Sequence, residues 1–163
     1  MTTGNPRPGS PLSPSMRSRS EKSLPREKVP VADRLVIYFD GASRGNPGPA
    51  AYGVWSPVGT RSVAIGRATN NVAEWLGFLA ALDLAASNGA SDVEIRADSE
   101  LVLRQFSGEY RMKAPHLADY LVEARKKARS IPRLKVLHVP REMNREADAL
   151  ANRALDEETR TPR

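Results

Sequence analysis

The period of the apolar positions changes several times along the chain, and each change marks an element. LVIYF (Leu35 to Phe39) is a continuous apolar run rich in β-formers, which predicts a buried strand. AAYGVW (Ala50 to Trp55) and RSVAIGR (Arg61 to Arg67), joined by the turn chemistry of SPVGT, predict a hairpin. From Asn71 to Ser87 the spacing lengthens to three and four residues through Val72, Trp75, Leu76, Leu79, Leu82 and Ala86, an amphipathic helix stopped at Asn88-Gly89. DVEIRAD (Asp92 to Asp98) reads as a short strand, and SELVLRQF (Ser99 to Phe106) as a helix with Ser99 as its cap. APHLADYLVEARKKARS (Ala114 to Ser130) opens with proline and closes on basic residues that suit a helix dipole without any ligand. RLKVLHV (Arg133 to Val139) alternates as a strand does, and NREADALANRAL (Asn144 to Leu155) gives a last helix capped by Asn144. The order βββαβααβα predicts an α/β fold, a mixed sheet with helices over it.

Composition sharpens this picture unevenly. A chain of 163 residues with 40% hydrophobic content is the size of one domain. It lacks cysteine altogether, so disulfides, thiolate metal sites and cysteine nucleophiles are excluded, and any metal must be held by oxygen or imidazole. No run approaches the length of a membrane span and the N-terminus lacks the apolar centre of a secretory signal, so a cytoplasmic, soluble protein without membrane contact is expected. Of the net charge of +6, residues 1–32 carry +4. That stretch also holds six prolines and six serines with few large apolar residues, so it reads as a disordered basic tail. The folded domain is expected over residues 33–156, followed by a C-terminal tail at 157–163, with a monomer as the default state.

Four acids stand where elements begin or end: Asp40 after the first strand, Glu74 in the first turn of the first helix, Asp98 after the fourth strand, and Asp148 in the first turn of the last helix. Helix starts favour negative charge, so Glu74 and Asp148 have an ordinary structural reading. Asp40 and Asp98 are harder to explain that way, because a carboxylate ending a buried strand is costly unless it is paired or bound to a cation. Oxygen ligands without cysteine or a histidine pair point to Mg²⁺ or Mn²⁺.

Four segments carry a resemblance. DGASRGNPG (Asp40 to Gly48), TNNVAE (Thr69 to Glu74), ADSELV (Ala97 to Val102) and NREADALAN (Asn144 to Asn152) resemble, in order and on the expected elements, the motifs of the ribonuclease HI family, across residues 34–156. The resemblance implies a ribonuclease H-like fold, with a mixed five-stranded sheet whose first three strands are antiparallel. It also implies that Asp40, Glu74, Asp98 and Asp148 are the catalytic metal ligands, with Asp40 shared between two Mg²⁺ ions, Mn²⁺ being a possible substitute. Two such ions activate a water for in-line attack on a phosphodiester and stabilise the departing oxygen. By the same resemblance Asn46, Thr69 and Asn70 lie along a substrate groove, and the partner is an RNA–DNA hybrid whose RNA strand is recognised by its 2′-OH groups. The implied activity is endonucleolytic hydrolysis of that strand, leaving 5′-phosphate and 3′-hydroxyl ends.

The chain departs from the family pattern in three places. Relatives with a flexible loop place a histidine shortly before the last acid; here His138 falls inside the predicted strand and reads as a strand-face residue, while Arg141 and Glu142 occupy the connection and Arg141 is the better phosphate contact. The Lys- and Trp-rich handle of many relatives is reduced to SGEYRMKAPH, in which Tyr110, Arg111 and Lys113 form either a smaller handle or a solvated loop. Glu100 stands where some relatives carry glutamine. Two other functions compete with the leading one: another nuclease of the same fold, disfavoured by the pairing of DGASRGNPG with TNNVAE, and a non-catalytic nucleic-acid-binding module, which could lose acids freely although all four are present.

Overall fold

In the computed structural model residues 34–160 are described, so the predicted tail at 1–32 and the last three residues lie outside them. The elements are β1 (Leu35–Ser43), β2 (Gly48–Ser56), β3 (Gly59–Ala68), α1 (Asn70–Ser87), β4 (Asp92–Ala97), α2 (Glu100–Ser107), α3 (Pro115–Ala128), β5 (Arg133–His138), a 3₁₀ turn (Arg141–Met143) and α4 (Arg145–Arg160). The strands form one sheet in the order β3-β2-β1-β4-β5. β1 pairs antiparallel with β2 and parallel with β4, β2 is antiparallel to β3, and β5 is parallel to β4. This is the mixed five-stranded sheet and the element order that the sequence predicts.

α1 departs from its expected amphipathic character: Ala73 to Trp75, Gly77 to Leu82, Leu84 and Ala85 are all buried. It lies on β1 and β2 with α3 packed against its outer side, so water reaches little of it. Phe78 is the hub, with ring centroids 5.4 Å from Phe39, 5.9 Å from Trp75 and 4.9 Å from Phe106. Truncating such a residue to alanine costs about 3–5 kcal/mol. Trp75 keeps its polar edge satisfied by donating Nε1–H to Gln105 Oε1 at 3.1 Å. Alternate residues of β2 serve the two faces: Tyr52 and Val54 join the core under α1, whereas Gly53 meets α4.

Several boundaries differ from those read in the sequence. β1 does not stop near Asp40; it runs on to Ser43 because Gly41, Ala42 and Ser43 pair with Tyr52, Ala51 and Ala50. α1 starts one residue early at Asn70, since Thr69 Oγ1 accepts from Val72 N–H at 3.3 Å, and Glu74 therefore falls beyond the first turn. Ser99 precedes α2 as expected but its side chain makes no capping hydrogen bond. α4 continues past Leu155 to Arg160, so residues 157–160 are helical; their polar composition hid the helix, and an Arg153–Glu157 pair supports it.

Candidate active site

The parallel pairing of β1 with β4 covers only Leu35↔Val93 to Tyr38↔Arg96, after which β1 follows β2 alone. A crevice therefore opens at the carboxyl ends of the two parallel strands, the usual ligand position in an open α/β sheet. Phe39 points into the core, so the strand's alternation sends Asp40 to the opposite face, the one that bears α4. Asp98 follows immediately after the last residue of β4.

Two glycines bring the helical acids to this crevice. A Cβ on Gly41 would sit 2.4 Å from Ala73 C and Glu74 N, so only glycine lets α1 approach β1 so closely. In that space Gly41 N–H donates to Glu74 Oε1 at 3.0 Å. On the other face, a Cβ on Gly53 would lie 2.3 Å from Ala147 O and 2.6 Å from Ala151 N. The close seat of α4 on β2 brings Asp148 near enough to Asp40 to help raise its pKa. Neither glycine's role is visible in sequence, because both read as ordinary strand or turn residues.

Asp40, Glu74 and Asp98 each offer an oxygen within 4.8 Å of the others. Asp40 is 5% and Glu74 7% exposed. Burial first, and then the neighbouring charge of Glu74, pushes Asp40 from 3.8 up to about 9; the nearby side chain of Asp148 and the charge of Asp98 add to this. Glu74 is pushed up to about 8 by burial and by Asp98, against the opposing pull of the Gly41 N–H and the Arg141 charge. Crowded, desolvated carboxylates hold protons at neutral pH unless a cation replaces them. The trio is made of hard oxygen donors without sulfur or imidazole, a set that fits Mg²⁺ or Mn²⁺.

Three of the four acids share a cleft of ≈ 380 Å³ with some of the other predicted residues, and Asp148 lies outside its lining. Asp40, Glu74, Asp98, Asn70 and Arg141 line it, and so does His138. Arg141 is 84% exposed, with Nε 4.0 Å from Asp98 Oδ2. Asn46 lies outside the lining but its Oδ1 accepts from Asn70 N–H at 2.9 Å, fixing the turn after β1 to the start of α1. Thr69 acts first as the cap of α1. His138, read as a strand-face residue, ends β5; the register Ala97↔His138 brings it beside the acids, which a single strand's pattern does not reveal. Asn144, read as a helix cap, turns inward: its Nδ2 donates to Phe39 O at 2.8 Å and to Asp98 Oδ1 at 3.4 Å.

Residues 40–154, a span that begins at the first of these acids and includes all four, match the reverse transcriptase-like family model. The chain belongs to the ribonuclease H family. It is 46% identical over 130 residues to ribonuclease HI of Halobacterium salinarum, a match covering 76% of this chain and 65% of that protein. It is 45% identical to a bifunctional protein of Mycobacterium tuberculosis, over 76% of this chain and 36% of the other. The chain thus spans between about two thirds and about one third of the length of these relatives. The solved ribonuclease H1 from Halobacterium salinarum superposes with a TM-score of 0.74, covering 76% of this chain and 98% of that one. The LC11 ribonuclease H1, solved in complex with an RNA/DNA hybrid, is 38% identical with a TM-score of 0.72, over 77% of this chain and 99% of that one. The sheet order and the placing of the helices are those of the ribonuclease H fold.

Proposed function

We propose that this chain is a metal-dependent endoribonuclease that hydrolyses the RNA strand of RNA–DNA hybrids, leaving 5′-phosphate and 3′-hydroxyl ends. The observation that carries the reading is the meeting of Asp40, Glu74 and Asp98 within 4.8 Å in an open cleft, with Asp148 near enough to add to the upward shift of Asp40. The names of its ribonuclease H relatives and the hybrid bound by one of them support the choice of substrate. Asp40, Glu74, Asp98 and Asp148 would hold two Mg²⁺ ions, with Mn²⁺ as a substitute. When bound, such ions supply an activated water and charge stabilisation at the departing oxygen.

The chain's own residues do the rest. Asp40 and Glu74 give up the protons that burial and repulsion keep on them, and Gly41 N–H holds the Glu74 carboxylate in its orientation. Arg141, exposed at the rim, offers a guanidinium to a phosphate of the scissile strand. Asn70 and Asn46 present amides to sugars and base edges from the turn that their mutual hydrogen bond makes rigid, and Thr69 offers its hydroxyl from the cap of α1. The test is gel analysis of end-labelled RNA–DNA, RNA–RNA and DNA–DNA duplexes with Mg²⁺, Mn²⁺ or chelator. Internal cuts confined to the RNA of the hybrid and lost in chelator are expected. Hybrid binding without cutting in either metal would refute the proposal.

A further inference from the structure

Asn144 stands at the N-cap position of α4, and its backbone oxygen accepts the first helical bond from Asp148 N–H at 3.1 Å. An asparagine there ordinarily turns its side-chain oxygen to the free N–H groups of the first turn, a bond whose loss costs about 1 kcal/mol. Asn144 does not. It is fully buried, its Oδ1 has no hydrogen-bond partner among the described residues, and its Nδ2 points away from the helix. A buried polar atom left without a partner requires an explanation.

The direction of Nδ2 supplies one. It donates to the carbonyl of Phe39, the residue just before Asp40, and to the carboxylate of Asp98. The amide has only this orientation, because a flip would set Oδ1 against two acceptors. One side chain therefore ties together the point where β1 and β4 have parted, and it does so from the residue that begins the helix carrying Asp148. We infer that Asn144 is a positioning residue that holds Asp98, and the strand segment bearing Asp40, in the arrangement that binds the divalent cation. The inference rests on the reading of the acids as metal ligands. Groups that orient metal ligands in this way change affinity or turnover by about 10–100-fold when removed.

The test is Mn²⁺ titration calorimetry on the full chain, wild type beside Asn144→Ala, Asn144→Leu, Asp98→Asn and the double variant Asn144→Ala/Asp98→Asn. Each protein is first shown by circular dichroism to melt cooperatively above the temperature of measurement. Leucine fills the asparagine's space without its donor and keeps the test open if alanine leaves the chain unfolded; its double variant with Asp98→Asn then replaces the alanine one. Expected are a 10–100-fold loss of Mn²⁺ affinity in both Asn144 variants, a similar fall in kcat with KM for the hybrid little changed, and a clearly smaller further loss of affinity when Asp98 is already asparagine, left by the tether to Phe39 alone. Wild-type affinity in Asn144→Leu would reduce the residue to filling space and overturn the inference. So would a full, additive loss in the double variant. Absence of Mn²⁺ binding by the wild type would overturn the ligand reading itself, an outcome distinct from these two.

Discussion

Replacing Asp40 with asparagine removes the group that most opposes folding of the metal-free chain. Asp40 is pushed from 3.8 up to about 9, with burial the largest cause and Glu74 the next. Because its folded pKa lies above the unfolded one, the folded chain keeps a proton that the unfolded chain releases. Stability therefore falls as pH rises through this window and is restored as pH drops towards 4. Between 3.8 and pH 7 lie about three units at about 1.4 kcal/mol each, an upper bound of roughly 4 kcal/mol. The amide still loses hydration on burial, and part of the repulsion is shared with Glu74, so a gain of about 2 kcal/mol is expected, or roughly 6–10 °C in Tm. The assay is thermal melting by circular dichroism in chelator at pH 7 and pH 4.5, with and without Mg²⁺. Asp40→Asn should melt above the wild type at pH 7 and close to it at pH 4.5, and Mg²⁺ should raise the wild-type Tm far more than the variant's. A variant that melts below the wild type at pH 7, or a difference that does not shrink on acidification, would refute the reasoning.

Other substitutions separate packing from chemistry. Gly53→Ala should cost at least about 1–3 kcal/mol by forcing α4 off β2, and should lower cleavage through displacement of Asp148, read by denaturant melts beside kcat. Gly41→Ala should do the same to α1 and Glu74, with the additional loss of the approach that lets Gly41 N–H reach Glu74 Oε1. Arg141→Ala, on an exposed side chain, should leave Tm unchanged, raise KM for the hybrid and lower the slope of log affinity against log salt by about one, measured across a salt series. Removing residues 1–32 should leave metal-dependent cleavage within about two-fold and weaken hybrid binding chiefly at low salt, since their net charge is +4.

Much of this was legible in the sequence because local patterns and the site coincide. Apolar period marked the five strands and four helices of the described residues, and Asp98 and Asp148 stood at or beside element ends, whereas Asp40 lies inside β1 and Glu74 beyond the first turn of α1. What pattern could not give was whatever depends on two elements at once. The continuation of β1 past Asp40 follows from pairing with β2, not from its own glycine-rich composition. The burial of α1 on nearly all sides follows from α3, and the presence of His138 at the cleft from the register of β5 on β4. Gly41 and Gly53 read in sequence as ordinary turn and strand residues and prove to be points of closest approach. Asn144 carried a cap signal strong enough to hide its inward turn, which only the positions of Phe39 and Asp98 reveal.

The most direct test of the central claim is single-turnover cleavage of a hybrid labelled in its RNA strand, in Mg²⁺, by the wild type and by Asp40→Asn, Glu74→Gln, Asp98→Asn and Asp148→Asn, each verified as folded. If the four carboxylates form one metal centre, every substitution reduces the rate by orders of magnitude while hybrid binding persists, with the greatest loss at Asp40. Cleavage at the wild-type rate by folded Asp40→Asn would contradict the account at its core.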